Sequence, residues 1–318
     1  MNTKTKESMN LKELKQSKYL VGIYLEQNSI DSNLASCLYS IANQTLPVDL
    51  LIFTNNYTDE QTARLKELID KPYISYIERD EQGQAVERVL ESEKALNHLI
   101  INLEESINFP KFFNALINKA NEAGYEAVSI AEYEDGYSVR WFEVADKYMT
   151  ENPEVSIFVP LIKNIVSGAF SGIMNEACWM EGMSEEAGKF DLGLLQKYNC
   201  VNPLGAVYRI SSVLEYSESI SGAYKPIKES IKLSHYYEFF LRMIYDDVKI
   251  MTVPRIGYEV KISNKDSFSD SSCKIPQNIS SMSQEKGGIN QQEASFWFEL
   301  AKKEFFYDED RNKVYEPA

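Results

Sequence analysis

Short apolar runs alternate with segments of helical periodicity through the first half of the chain. YLVGIYL at 19–25 is a continuous apolar and β-branched run, the pattern of a buried strand. DSNLASCLYSIANQTLP follows. Leu34, Cys37 or Leu38, and Ile41 recur at helical spacing, Asp31 or Ser32 stands at the cap position, and Pro47 lies beyond the end. DLLIFT at 49–54 predicts a second strand. The next helix opens on Thr58 and Gln61, spaced as a capping box, with Leu65, Leu68 and Ile69 on one face. YISYIE at 73–78 predicts a third strand, and the charged stretch 83–105 reads as helical. Phe112, Phe113, Leu116, Ile117 and Ala120 then share one helix face, closed by Gly124. EAVSIA at 126–131 predicts another buried strand, and 138–151 an amphipathic helix. Strands alternating with helices predict βαβ units and a mostly parallel sheet. Ligands of such sheets bind beyond the carboxyl ends of the strands, here Leu25–Asn28, Thr54–Tyr57 and Ala131–Asp135.

Residues 155–174 are mostly apolar, but Pro160, Lys163 and Asn164 fall mid-run, where a spanning helix tolerates charge least. The segment reads as a buried strand followed by a Gly/Ser-rich loop. Residues 263–295 are rich in Ser, Gln and Asn and read as a linker. Trp297, Ala301 and Phe305 behind it predict a terminal helix. The expected organisation is a flexible leader over 1–18, one domain over 19–262, and a linker with a C-terminal helical extension over 263–318.

Composition changes this picture mainly by exclusion. The chain has 318 residues and a formal charge of −15, which argues against a general nucleic-acid binder and against attraction to an anionic membrane. The leader, with five Lys and two Glu, is the exception and carries no apolar signal core. Four scattered cysteines make no CxxC pair and suit a reducing cytoplasm. There is no GxxxxGK[ST] loop, no GxGxxG and no GxSxG. Two histidines, His98 and His235, do not build an HExxH zinc site. Carboxylate chemistry is left, with a hard cation as a natural companion. Its best candidate is the strand exit Glu132, Tyr133, Glu134, Asp135. Alternate residues of extended chain point the same way, so Glu132 and Glu134 could face one pocket. A solvated acidic turn before a helix is the plainer alternative.

A series of segments in order resembles family 2 glycosyltransferases of the GT-A fold. SIANQTLPVDLLIFTNNYTDEQT (40–62) is similar to that family's SxxxQTxPxxEIIVVDDGSTDxT stretch, and Asn28 keeps the Asn that ends its first strand. FFNALINKANEAGYEAVSIAEYEDGY resembles its helix, strand and metal motif. NPLGAVYRISSVLEY and HYYEFFLRMIYDDVKIMTVPRIGYEV resemble its later Gly-x-x-x-Arg and EDxxLxxRxxxxGxKI segments. The resemblance covers roughly 19–262. It implies an α/β fold with a mostly parallel central sheet flanked by helices. It also implies transfer of a sugar from a nucleotide-diphosphate donor, with UDP the expected nucleotide, to an acceptor hydroxyl in polysaccharide or glycoconjugate synthesis.

By the same resemblance the donor would contact Leu25, Glu26, Asn28, Thr54, Asn55, Asn56 and Tyr133. Mn or Mg would sit on Glu132, Glu134 and Asp135. Glu238 or His235 would act as base, standing near the family's Glu-Asp pair. Trp179, Met180 and Met183 would lie on the acceptor side. Arg209 and Arg242 could meet the diphosphate, or Arg242 could pair with Asp246 one turn on. Lys225 and Lys228 would lie in a loop over the donor. The acceptor would be a saccharide, a lipid-linked sugar or a protein, in the cytoplasm or peripherally at the inner membrane face, and a homo-oligomer is compatible. Glu in place of Asp, and His-Tyr in place of Glu-Asp, also allow a second reading: a catalytically silent member acting as a binding or scaffold subunit. A nucleotidyltransferase ranks behind both, because LEQNSIDSN is neither Gly-rich nor basic.

Overall fold

The computed structural model describes residues 11–26, 29–166, 168–181, 183–197, 202–220, 222–230 and 235–262, with the backbone of 307–308 and 313–314. In chain order the elements are α1 (Leu11–Leu14), β1 (Tyr19–Leu25), α2 (Ser32–Ala42), β2 (Asp49–Asn55), α3 (Asp59–Asp70), β3 (Tyr73–Arg79), β4 (Ala85–Glu91), β5 (His98–Leu103), α4 (Phe109–Ala123) and β6 (Ala127–Ala131). The second half adds β7 (Gly136–Tyr137), α5 (Trp141–Glu151), β8 (Val155–Val166), β9 (Ala169–Met174), α6 (Leu192–Lys197), β10 (Val207–Arg209), α7 (Ile210–Glu215), β11 (Glu218–Ile220), β12 (Ala223–Lys225), α8 (His235–Tyr245) and β13 (Lys249–Ile262).

One mixed sheet organises the molecule, in the order β5-β2-β1-β6-β10-β8-β13-β7, with β9 hairpinned onto β8. β5, β2, β1 and β6 run parallel. β10 runs backwards between β6 and β8, β13 is again parallel to β8, and the outlying β7 and β9 are antiparallel to β13 and β8. Every residue of β1 and β6 is buried, as expected of central strands covered on both faces. Side chains alternate across β1. Tyr19 turns to Phe142 of α5, at 5.6 Å between ring centroids, whereas Gly22 lies beneath Leu116 of α4. A Cβ at Gly22 would come within 2.4 Å of a Leu116 methyl, so the glycine lets the helix close onto the sheet.

The local signals locate the helices well. Asp31 caps α2 through Asn33 N and Leu34 N, Thr58 and Gln61 form a reciprocal capping box on α3, and Gly124 ends α4 in the left-handed conformation. The stretch 83–105, expected to be helical, instead forms β4 and β5. β4 pairs with β3 in a two-stranded ribbon whose charged and apolar side chains are largely exposed. β5 extends the main sheet, with His98 opposite Leu50 on a strand and not a helix. Val86, Val89, Ile100 and Ile101 favour strands once partners exist, and pairing outweighs the helical spacing of the charges. The expected Gly/Ser-rich loop after 155–166 is the strand β9, turned at Gly168 with φ +80°. Lys163, mid-strand, is neutralised by Glu259 at 2.7 Å. Among the described residues no helix is long and apolar enough to cross a membrane. Residues 1–10 of the leader expected over 1–18, and most of the extension, including 294–306 of the expected terminal helix, lie outside the described residues; residues 11–14 of that leader form α1, with Leu11 and Leu14 buried.

Candidate functional site

The parallel strands deliver their carboxyl ends to one edge. Leu25 pairs with Thr54, Thr54 with Asn102, and Asn55 with Leu103. Asn102 is the clamp of this edge. Its Oδ1 accepts from the Thr54 hydroxyl at 3.0 Å and from Tyr57 N at 2.9 Å, while its Nδ2 donates to Tyr57 O at 2.7 Å. The Tyr57 hydroxyl donates to Glu26 O at 2.9 Å, tying the loop after β2 to the end of β1, and burial pushes that hydroxyl up to about 12. Asn56 takes a left-handed turn at φ 51°, a conformation Asn tolerates better than most side chains. Leu25 and Thr54 are fully buried and serve as scaffold rather than as open contacts. Asn55 differs: its Oδ1 is buried and has no hydrogen-bond partner. Asn28 lies outside the described residues. The sequence reading missed Asn102, whose signal was a single amide inside the apolar run HLIINL.

The acidic turn follows β6 directly, and its backbone is held from three sides. Glu132 N donates to the Tyr258 hydroxyl at 2.9 Å, the Cys37 thiol donates to Glu132 O at 3.3 Å, and Asp135 N donates back to Glu132 O at 3.1 Å. Asp135 Oδ1 accepts from Lys261 N at 2.9 Å, and Glu134 Oε1 accepts from the Tyr133 hydroxyl at 2.8 Å. Glu132, Glu134 and Asp135 are all buried. Burial, reinforced by Asp135, drives the Cys37 thiol and the Tyr258 hydroxyl well above their ordinary values, so both stay protonated. Burial, then the Glu134 carboxylate, does the same to Tyr133. Gly205 gives Tyr258 its place: at φ +69° its missing Cβ leaves room for the ring, which a Cβ would meet at 2.6 Å.

Among the described residues no three His, Cys, Asp or Glu side chains converge as a metal cage. Mg-like cations commonly take only one or two carboxylates and complete their shell with substrate phosphates and water. Glu132 and Glu134 are the hard oxygen donors of this turn, and the described residues offer no set that would hold a cation by the protein alone. Asp135 is engaged in bracing β13.

The surroundings of α8 are arranged differently. His235, at the start of α8, is buried and stacks on Phe109 at 5.3 Å and 15°. Glu238 is fully buried. Lys228 Nζ lies 2.9 Å from its Oε1, and Arg242 approaches the carboxylate at 3.1 and 3.4 Å. Arg242 also donates to Tyr216 O and Pro226 O, so it pairs backward with Glu238, not forward with Asp246. Lys225 pairs with Glu229. Arg209 donates to Val155 O and Met149 O, a structural duty. Trp179 anchors its indole N–H on Thr252 O and stays partly exposed next to the exposed Met180, whereas Met183 packs against the core.

Solved structures with similar folds include three of S. aureus TarS. The fragment 1–349 in complex with UDP-GlcNAc aligns with TM-score 0.55 at 13% identity, over 92% of this chain and 69% of that one. The same fragment with UDP aligns with TM-score 0.52 at 13% identity, over 92% and 68%. Without a named ligand it aligns with TM-score 0.50 at 15% identity, over 76% of this chain and 60% of that one. The chain thus spans between about three fifths and two thirds of the length of that fragment. No family model and no curated protein sequence matches it. The architecture is GT-A-like: a largely parallel central sheet flanked by helices, with the crossover at β10 beside the acidic turn.

Proposed function

We propose that the chain binds a nucleotide-diphosphate sugar, with uracil as the base, across the ends of β1, β2 and β6, and transfers the sugar to an acceptor hydroxyl. The observation that carries this reading is Asn55 Oδ1, a buried acceptor without a protein donor at the end of β2. Leaving such an atom unsatisfied costs about 1–3 kcal/mol, and the N3–H of uracil is the kind of donor that would relieve it. The UDP-GlcNAc and UDP complexes of TarS, similar in fold, support the same ligand class.

The left-handed turn at Asn56 and the Asn102 clamp shape the base pocket before any ligand arrives, which reduces the ordering cost of binding. Tyr258 and Cys37 fix the backbone of the acidic turn that carries Glu132 and Glu134. Those two carboxylates, with the donor's phosphates, would hold Mn or Mg, which when bound supplies positive charge to the leaving diphosphate. Glu238 or His235 remains the proposed base for the acceptor hydroxyl, and the partly exposed Trp179 is the proposed surface for a sugar ring. The acceptor class, whether saccharide, lipid-linked sugar or protein, follows from assay.

A second reading has its own observation. Glu238 is fully buried between Lys228 and Arg242, an arrangement suited to fastening a loop. A chain that binds the donor without transferring it would carry this arrangement comfortably. The test is calorimetry and melting with UDP, GDP, ADP and UDP-sugars, with and without Mn, followed by a release assay for UDP. Saturation at a hundred times the dissociation constant should stabilise the fold by about 2.7 kcal/mol. A selective UDP response with turnover supports transfer. The same response without turnover on any acceptor supports the binding subunit, and absence of any nucleotide response overturns both.

A further inference from the structure

Lys261, near the end of β13, is joined to the site twice. Its backbone N–H holds Asp135 Oδ1 at 2.9 Å, and its ammonium lies 3.4 Å from Ser36 Oγ on α2. Among the described residues most partly buried lysines meet a carboxylate: Lys163 meets Glu259, Lys189 meets Glu186, and Lys225 meets Glu229. Among the described residues the Lys261 ammonium makes no ion pair and has only this hydroxyl. Its corner is rigid. Cys37, next to Ser36, donates to Glu132 O, and Tyr258, three residues before Lys261, accepts from Glu132 N. Two elements, α2 and β13, thus hold one cation at the rim of the acidic turn.

A ligand bearing two phosphates meets an unfavourable field on a chain of net charge −15. A fixed local cation offsets it, and an ammonium suits phosphate oxygens as a point charge. We propose that Lys261 is a binding residue for the diphosphate of the donor, steered by Ser36 into direct contact with a phosphate oxygen. This rests on the nucleotide-sugar reading above. It adds a positive contact from β13 that the strand-end residues do not supply.

The test is calorimetry on the full chain with UDP, and competition by uridine, in the wild type, Lys261→Met and Ser36→Ala. Removing a charge-assisted contact should weaken UDP about 10- to 100-fold, with uridine changed less than about twofold and the difference shrinking at high salt. Ser36→Ala should give a smaller loss, of about threefold, in the same direction, and it carries the test if Lys261→Met does not fold. UDP affinity unchanged in a folded Lys261→Met, or UDP and uridine weakened equally, would overturn the proposal while leaving the nucleotide reading intact. A wild type that binds neither ligand would instead sink the reading on which it rests.

Discussion

The α8 region and the strand ends treat their polar groups in opposite ways. On the side of α8 the charges satisfy one another. Glu238 meets Lys228 and Arg242, Arg242 also serves two backbone carbonyls, and Arg209 serves two more. At the ends of β1, β2 and β6 the backbone is braced just as firmly, yet Asn55 Oδ1 is left without a partner and the Lys261 ammonium without a counter-ion among the described residues. Buried polar groups in folded proteins are normally paired, so a buried one that is not points to a ligand or a strain reservoir. Closed networks hold structure together, whereas braced but incomplete ones are built to be completed.

The largest expected effect tests the closed side. Glu238→Ala leaves two cations around an emptied, fully buried position, and breaking such a pair costs about 3 kcal/mol. Chemical denaturation should record that loss. If the variant instead keeps native stability and loses only turnover, Glu238 is a base and the contrast between the two sides collapses.

Gly205→Ala comes next. It imposes a Cβ at φ +69° and within 2.6 Å of the Tyr258 ring, so it should cost about 2 kcal/mol. It should also weaken donor binding through the displaced acidic turn. Unchanged binding in a destabilised variant would separate Tyr258 from the site.

Asn55→Ala sharpens the contrast because its two effects have opposite sign. Removing an unsatisfied amide should leave the ligand-free fold as stable as before, or up to about 1 kcal/mol more stable. UDP affinity should fall about tenfold. Loss of both stability and binding would mean that Asn55 is structural.

The smallest effect concerns pH. The folded Tyr57 hydroxyl is raised to about 12 against an ordinary value near 10, so the folded chain holds this proton more tightly. Its stabilising contribution is complete below pH 10 and is lost as pH rises toward 12. Stability measured across that window should decline less steeply in Tyr57→Phe. An identical slope in both proteins would show that the hydroxyl bonded to Glu26 O does not govern the edge.

Much of the fold was legible where the determinants are local. Asp31, the Thr58–Gln61 box and Gly124 act within a few residues of themselves, and each helix forms where they place it. The run at 83–105 was not legible, because charged residues at helical spacing say nothing about available strand partners. β5 exists because the edge of β2 was there to be paired. The strand-end location of the candidate site could be read from alternation alone, and Asn55 and the acidic turn lie at those strand ends. Asn102, Tyr258 and Lys261 could not be found that way. They reach the site from 45 to 126 residues away in sequence, and each is unremarkable in its own segment.

The sequence by itself determined the alternation of strands and helices, the caps, and the acidic exit of β6. Those features depend on side-chain periodicity and on hydrogen bonds between near neighbours. Only the tertiary structure decided which polar groups are spent and which are left over. Glu238 and Asn55 look equally available along the chain, and burial beside two cations or beside none is what separates them. That separation is set by long-range packing, because desolvation makes every buried charge or amide depend on what the fold brings within about 3 Å of it.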